Sequence, residues 1–164
     1  MKPTFEEIHR DFGPAVSRQV ASYLPPGQNR EDLVQDIWLA IWRALPRFRG
    51  DSSTKTYLFR IVHNRAMTWL TRRRTLPVSD DLDRLSDSRP SPEQSLASQQ
   101  RSDQLMSAIR ALSPGQRQVF ILLLEGLSHA EIADILNVST SAVGVRIHRA
   151  RTHLRTTLGV QHGR

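Results

Sequence analysis

The chain of 164 residues carries 23 Lys and Arg against 16 Asp and Glu, a net charge of +7, and contains no cysteine. Without cysteine, neither a disulfide framework nor a Cys-ligated metal site can form. No stretch approaches the ~20 apolar residues of a membrane span, and the N-terminus lacks the apolar core of a secretory signal, so we expect a soluble, cytoplasmic protein without membrane insertion.

Three helices are predicted in the first half of the chain, where apolar residues recur at helical spacing. The first covers about residues 4–24 and stops at a Pro-Pro-Gly sequence. The second covers NREDLVQDIWLAIWRAL, residues 29–45, whose early acids suit the helix dipole. The third covers about residues 53–74 and ends in three arginines. Because these helices can bury one core, we predict a helical domain over residues 1–76.

The second predicted helix is more apolar around its circumference than a three-helix core requires. Trp38 and Trp42 lie one turn apart on it, and a tryptophan is costly to expose. Either one tryptophan packs inside while the other awaits a partner, or both belong to the core. The sequence leaves both alternatives open.

The segment PRFRGDSSTKTY, residues 46–57, separates the second and third helices and interleaves aromatic with cationic side chains. Pro46 and Gly50 interrupt regular structure there. Aromatic rings can stack on unpaired bases while neighbouring cations hold the backbone of the strand. The segment therefore favours a role in binding single-stranded nucleic acid.

Residues 77–98 are interpreted as a flexible, acidic linker. The surrounding sequence LPVSDDLDRLSDSRPSPEQSLASQQ has three prolines, six serines and too little apolar surface to offset the entropy of ordering. On either side the charge is basic, with 13 Lys and Arg against 7 acids in residues 1–76 and 8 against 4 in residues 101–164. Two modules that each contact a polyanion would produce this pattern, and so would a solvated basic surface.

The second basic block, residues 99–164, is predicted to form a helix-turn-helix domain. Its first helix covers about residues 103–112. A capping box from Ser113 to Gln116, with Pro114 at the first helical position, then opens a helix that runs towards Gly126.

Two further helices follow at short spacing. A capping box from Ser128 to Glu131 opens the first of them, and Asn137 suits the left-handed turn that ends it. Ser139 or Thr140 caps the last helix. This order of caps and turns is typical of a helix-turn-helix.

An apolar stripe anchors the last helix, and its arginines are thereby forced outward. The stripe consists of Val143, Ile147, Ala150 and Leu154, at spacings of three or four. A major groove accepts such a helix, with its N-terminal residues near base edges and its cations near phosphates. A small interaction domain with a solvated basic face is the alternative. The residues expected at DNA are Thr140, Ser141, Gly144, Arg146, His148, Arg149 and Arg151.

No metal site or cofactor is predicted. His148 and His153 have no nearby carboxylate to complete a set of ligands, and no other cluster has the spacing of a metal site. An enzyme such as a nuclease is disfavoured for the same reason.

Three stretches in order, EDLVQDIWLAIWRAL, FRGDSSTKTYLFRIVHNRA and LSHAEIADILNVSTSAVGVRIHRARTHLR, resemble the extracytoplasmic-function (ECF) class of bacterial sigma factors. The resemblance spans nearly the whole chain. It implies an all-α fold with two small domains, sigma region 2 over residues 1–76 and sigma region 4 over residues 99–164. It also implies a non-catalytic subunit that binds core RNA polymerase and directs promoter-specific initiation.

The resemblance further implies a role for each motif. The second helix would dock on the clamp coiled coil of the largest polymerase subunit through Asp32, Leu33, Gln35, Asp36 and Trp38. The minus-ten promoter element would meet Phe48, Arg49, Ser52, Ser53, Lys55, Tyr57, Arg60 and Asn64. The last helix would read the minus-thirty-five element while its domain touches the polymerase flap, and an anti-sigma factor is an expected regulator.

A free-standing helix-turn-helix repressor or activator is the alternative function. Dependence on polymerase separates the two, since a repressor binds its operator alone.

Overall fold

The computed structural model describes residues 3–24, 29–74 and 96–159, and all regular structure in these residues is helical. The predicted all-α class is therefore confirmed. The predictions for residues 25–28, for the linker up to residue 95 and for the last five residues lie outside the described residues. The helices are α1 (Phe5–Tyr23), α2 (Arg30–Ala44), α3 (Thr54–Arg74), α4 (Leu96–Ala111), α5 (Pro114–Leu124), α6 (His129–Leu136) and α7 (Thr140–Leu158), with a 3-10 turn at Leu45–Arg47.

The first unit consists of α1, α2 and α3 packed against one another. Ile8 from α1, Leu33 from α2 and Phe59 from α3 are almost completely excluded from solvent. A polar contact joins α1 to α3, because the Tyr23 hydroxyl lies 2.7 Å from Nδ1 of His63. Burial raises the pKa of Tyr23 and lowers the pKa of His63, so both groups are uncharged at neutral pH.

The second unit consists of α4 to α7, and its caps largely follow the sequence. Ser128 and Glu131 form the predicted capping box, and Asn137 adopts a left-handed conformation with φ of 54°. Ser139, rather than Thr140, caps α7 by accepting a hydrogen bond from the Ala142 amide at 3.1 Å.

Two predictions for this unit are wrong. Ser113 makes no side-chain cap, although α5 does begin with Pro114 as predicted, whose fixed φ suits the first turn. α4 begins at Leu96 rather than near residue 103, so residues 96–98 of the predicted linker are helical. Within residues 98–111 the buried apolar residues are Ala108 and Ile109, in the last turns of α4, whereas Leu105 and Met106 are exposed, so the earlier part of the helix lacks the periodic signal.

Two arginines act as caps of helix C-termini rather than as surface cations. Arg30 donates to the Leu24 carbonyl at 2.9 Å, beyond the end of α1. Arg117 donates to the carbonyls of Arg110 and Leu112 at 2.9 Å each, which ties α4 to α5. Burial lowers the pKa of both guanidinium groups, yet both stay protonated at neutral pH because arginine titrates so high. Part of the basic excess therefore stabilises the fold.

The two units share one core. α1 packs against α5, and α3 packs against α6. The buried cluster that contains Val16 and Phe59 of the first unit continues into Val119, Ile132 and Val143 of the second. The surfaces of α1 and α3 that face the second unit are consequently covered.

Candidate functional site

α7 turns to solvent the face that lies opposite its apolar stripe, as predicted from the sequence. Val143, Ile147, Ala150 and Leu154 are all buried, which fixes the rotation of the helix. Within residues 140–151 the exposed positions are Thr140, Ser141, Val145, His148, Arg149 and Arg151, and Gly144 is partly exposed. No acid occurs on α7, so this face carries only neutral and basic groups.

Arg146 differs from the other arginines of α7 because its side chain is turned towards α5. It is partly buried, and its Cζ lies 3.6 Å from the place that a Cβ of Gly115 would occupy. The Arg146 guanidinium thus lies beside the first turn of α5. Its predicted contact with DNA stays a prediction, and it would have to be made at the edge of the α7 face.

The loop between α2 and α3 is closed by a pair of aromatic rings. Phe48 is only 8% exposed, and its ring centroid lies 4.8 Å from that of Tyr57. The Tyr57 hydroxyl donates to the Ala44 carbonyl at 3.1 Å, which fixes the pair on the end of α2. The predicted contact of Phe48 with the minus-ten element stays a prediction; in this arrangement its ring packs on Tyr57.

The other predicted minus-ten residues divide into two groups. Arg49, Ser53 and Asn64 are exposed, and Ser52 is partly exposed. Lys55 and Arg60 are instead engaged by the second unit. Lys55 Nζ donates to the Glu125 carbonyl at 2.6 Å, and Arg60 forms an ion pair with Asp134 of α6.

Two more contacts between the units lie beside these and were not expected from the sequence. The buried Thr56 donates from its hydroxyl to Oε1 of Glu131 at 2.9 Å. Arg18 of α1 donates to Oε1 of Glu125 at 2.6 Å. The first unit supplies the donor in each case, and the second supplies the acceptor. The partners lie far apart in the chain, so no local spacing could have indicated them.

α2 exposes a stripe that only partly matches its predicted contact residues. Asp32 and Gln35 are exposed, and Asp36 is partly exposed with its carboxylate 3.9 Å from Arg65 of α3. Leu33 was placed wrongly, because its side chain is fully buried in the first unit and no partner could reach it. Trp38 is half-buried, with its ring centroid 6.0 Å from that of Phe5 and 4.6 Å from that of His9.

Leu39 and Trp42 were missed as members of this stripe. They are 44% and 58% exposed, although both are large and apolar. The alternative in which both tryptophans belong to the core is therefore wrong, because Trp42 lies largely in solvent while Trp38 is half-buried. Spacing could have found both residues, since 32, 35, 39 and 42 follow one another by three or four and share one helix face. We call the surface of Asp32, Gln35, Leu39 and Trp42 the α2 stripe.

An apolar groove of about 450 Å³ runs between α5 and α7. Leucine and phenylalanine side chains form its floor, and two arginines of α7 stand at its edge. Leu124 is 62% exposed there. The lining includes Phe120, Leu124, Leu154 and Leu158 with Arg151 and Arg155.

The described residues hold no arrangement of three or more His, Asp or Glu side chains that could bind a metal ion. No helix in residues 3–24, 29–74 and 96–159 has the length and apolar character needed to cross a bilayer.

A helix-turn-helix whose outer helix carries no acid places the second unit in the class of DNA-binding helix-turn-helix domains. Comparison with known families agrees, since sigma-70 region 2 matches residues 8–75 and sigma-70 region 4 matches residues 102–154.

Two named relatives are similar over most of the chain. The RNA polymerase sigma factor CnrH of Cupriavidus metallidurans is 30% identical over 94% of this chain and 86% of its own length. The ECF RNA polymerase sigma-E factor of Escherichia coli is 33% identical over 83% of this chain and 76% of its own. The chain belongs to the ECF sigma factors and is an RNA polymerase sigma factor; the free-standing repressor is not favoured.

Solved structures of similar chains include two complexes. The sigma factor RpoE of Bartonella quintana, solved with the anti-sigma factor NepR, superposes with a TM-score of 0.78 at 28% identity, over 96% of this chain and 98% of that one. CnrH, solved with the cytosolic domain of CnrY, superposes with a TM-score of 0.64 at 28% identity, over 96% and 89%.

Proposed function

We propose that the α2 stripe is the surface through which this sigma factor binds core RNA polymerase. The observation that carries the proposal is the exposure of Leu39 and Trp42, because large apolar side chains side by side on a surface indicate a protein partner. Asp32 and Gln35 continue the stripe with polar groups that can form the rim of an interface. The clamp coiled coil of the largest subunit is the partner that the family resemblance favours.

The test compares two double variants in assembly with bacterial core polymerase. Leu39→Ala with Trp42→Ala should lower the affinity for core by about a hundredfold, because two central apolar contacts are lost. Leu105→Ala with Met106→Ala removes two side chains of α4 that are 41% and 47% exposed, and should leave affinity unchanged. Comigration in gel filtration and titration with labelled core give the affinities. Equal behaviour of the two variants would contradict the assignment.

We propose that the outer face of α7 binds the minus-thirty-five element and that the loop and α3 bind the minus-ten element. The support for α7 is its rigid anchoring together with its acid-free face, which can approach phosphates without repulsion. The support for the loop is the exposed Arg49, Ser53 and Asn64 beside the cations Lys55 and Arg60. Site-specific initiation by the assembled holoenzyme on genomic fragments tests both together.

The groove between α5 and α7 is proposed as the contact for the polymerase flap. Its apolar floor can receive an apolar helix face, and Arg151 and Arg155 at its edge can pair with acids of that partner. Leu124→Asp should then weaken holoenzyme activity at promoters that depend on the minus-thirty-five element while sparing assembly through α2. If Leu124→Asp prevents assembly with core polymerase instead, the groove contributes to core binding together with the α2 stripe.

Regulation by an anti-sigma factor is proposed from the two complexes described above. Both similar chains were solved with such a partner, and their superposition covers both units of this chain at once. We further propose that the protein acts in the cytoplasm, where polymerase is, and that it performs no catalysis of its own. Cleavage of labelled DNA by pure protein with Mg²⁺ would contradict the last point.

The proposed domains are region 2 over residues 1–76 and region 4 from the start of α4 at Leu96 to residue 164, with the linker between them. Limited proteolysis should cut first within residues 77–95 and release two fragments of these sizes.

A further inference from the structure

Three arginines lie near one another where the start of α2 approaches the end of α4, and we call Arg30, Arg110 and Arg117 the arginine cluster. Arg30 is the first residue of α2, Arg110 lies in the last turn of α4 and Arg117 in the first turn of α5. The Arg117 side chain donates to the Arg110 carbonyl at 2.9 Å. Burial lowers the pKa of Arg30 most, and the positive charge of Arg110 lowers it further. The guanidinium groups of Arg30 and Arg110 are therefore close enough to repel each other.

No acid of the described residues offsets the charge of the arginine cluster. None of the ion pairs within residues 3–24, 29–74 and 96–159 involves one of its members. The sequence between Asp103 and Glu125, which contains Arg110 and Arg117, has no acid at all. Like charges held together without a counter-charge are unfavourable. An anion from solution would supply the missing counter-charge.

Two members of the cluster also contain buried N–H groups that have no acceptor. Nε of Arg30 and Nε of Arg117 are inaccessible to solvent and have no hydrogen-bond partner among the described residues. Carbonyls at the ends of α1 and α4 accept only from the Nη2 atoms of these two arginines. Because a buried donor without an acceptor is rare and unfavourable, the Nε atoms are a second indication, independent of charge, that an acceptor belongs in this cluster.

We propose that the arginine cluster is a binding site for a small anion that carries a diphosphate group, such as inorganic pyrophosphate or a nucleoside diphosphate. Guanidinium groups bind phosphate oxygens through pairs of parallel hydrogen bonds. Three positive charges are matched better by a diphosphate than by a single phosphate. Arg110 is exposed and forms the side of the site that is open to solvent, whereas Arg30 and Arg117 are partly buried and held on helix ends.

The arginine cluster differs from the surfaces proposed to bind DNA. The outer face of α7 offers exposed cations such as Arg149 and Arg151, which a broad duplex can reach. Two of the three arginines of the cluster are instead partly buried between helices. A small anion can approach such groups more closely than a duplex can. The cluster is therefore assigned to a small ligand, whichever surfaces bind polymerase and promoter.

The first test measures binding of inorganic pyrophosphate to the full chain by isothermal titration calorimetry, at moderate salt and without divalent metal ions. Arg110→Gln removes the exposed charge of the cluster and keeps the backbone carbonyl that Arg117 binds. Arg101→Gln, at an exposed position of the same helix, removes the same charge outside the cluster. We expect Arg110→Gln to raise the dissociation constant about tenfold and Arg101→Gln to change it by about twofold or less.

Several outcomes would overturn the assignment. Equal weakening in Arg110→Gln and Arg101→Gln would mean that the anion senses only net charge, and no binding of pyrophosphate to the wild type would exclude the site. Inorganic phosphate bound as tightly as pyrophosphate would contradict a diphosphate site. An equally large loss of binding to a labelled DNA duplex in Arg110→Gln would assign the cluster to DNA. ADP separates the two sources, since tighter binding than that of pyrophosphate supports a nucleoside diphosphate and equal or weaker binding supports the free anion.

A second test uses the sign of the effect on stability. Without the anion, Arg110→Gln should unfold at a higher urea concentration than the wild type, because a charge that repels Arg30 is removed. With saturating pyrophosphate, the wild type should gain stability by mass action and the variant should gain much less. An arginine with a purely structural role would lower stability in both conditions when it is replaced. That result, or an equal gain from pyrophosphate in both proteins, would overturn the proposal.

Discussion

The two helices of the helix-turn-helix, α6 and α7, are neighbours in one core but differ in charge and in what they face. α6 carries Glu131 and Asp134 and lies against α3, whereas α7 carries no acid and turns its outer face to solvent. Both are anchored by buried apolar residues, including Ile132 of α6 and Ile147 of α7. The contrast shows that one small domain can turn an acidic side to its own chain and an acid-free, basic side to solvent.

The largest expected effect is on stability and comes from a substitution that removes a buried apolar anchor of the helix-turn-helix. Ile147→Ala should lower the free energy of unfolding by about 2–5 kcal/mol, because Ile147 is 3% exposed and the cavity would lie beneath α7. Urea denaturation measures this loss. Val145→Ala, on the 47% exposed outer face, should change stability by less than about 0.5 kcal/mol. Similar losses in both variants would mean that α7 is not anchored by this stripe.

A second prediction concerns the basic side alone. Arg149→Ala with Arg151→Ala should weaken binding to a labelled mixed-sequence duplex by about tenfold and lower the magnitude of the salt slope by about 2. Anisotropy titrations over a range of salt concentrations measure both quantities. Arg10→Ala with Arg101→Ala, exposed arginines of α1 and α4, gives the same change in net charge and should leave the slope nearly unaltered. An equal change of slope would show a diffuse charge effect.

A third prediction compares how the two helices begin. The Ser128 side chain makes two hydrogen bonds with Glu131, whereas the Ser139 side chain makes one, to the Ala142 amide. Ser128→Ala should therefore cost about 1 kcal/mol of stability and Ser139→Ala somewhat less. Thermal and urea unfolding provide the values, and the reverse order would contradict the capping geometry.

The difference in stability cost between Ser128→Ala and Ser139→Ala should depend on pH. Hydrogen bonds from the backbone and side chain of Ser128, and then from Thr56, lower the pKa of Glu131. A lowered carboxyl pKa means that the stabilisation is complete above the ordinary value of 4.5 and is lost as the pH falls through the lowered value. The cost of Ser128→Ala should accordingly shrink at acid pH, while that of Ser139→Ala stays constant.

The smallest expected effect has the opposite sign. Gly144 lies inside α7, and a Cβ built there would meet no atom within 4 Å. Gly144→Ala should raise the free energy of unfolding by about 0.5–1 kcal/mol, since glycine is a poor helix former. Unfolding curves verify the gain. If duplex binding also falls, the backbone at this position approaches DNA closely; if it is unchanged, the glycine has no role at the interface.

The sequence predicted those features that depend on local chemistry. The capping box at Ser128, the left-handed Asn137 and the buried stripe through Val143 each follow from residue type and spacing within one or two turns. It failed at Leu33, because deciding which side of α2 is covered requires knowing where α1 and α3 lie. Trp42 was missed although its spacing from Asp32 and Gln35 places it on the same face of α2.

Contacts between the units were out of reach for a different reason. Thr56 and Glu131 are separated by 75 positions, and Arg60 and Asp134 by 74. Each residue has an adequate local explanation, as a helix-start hydroxyl, a capping acid or a surface charge. Only the placement of α6 on α3 reveals that these residues contact one another.

Glu131 divides its two carboxylate oxygens between two partners, since Oε2 accepts from the Ser128 backbone and side chain at the start of α6 and Oε1 accepts from Thr56 of α3. The same carboxylate therefore closes the first turn of α6 and ties that turn to α3.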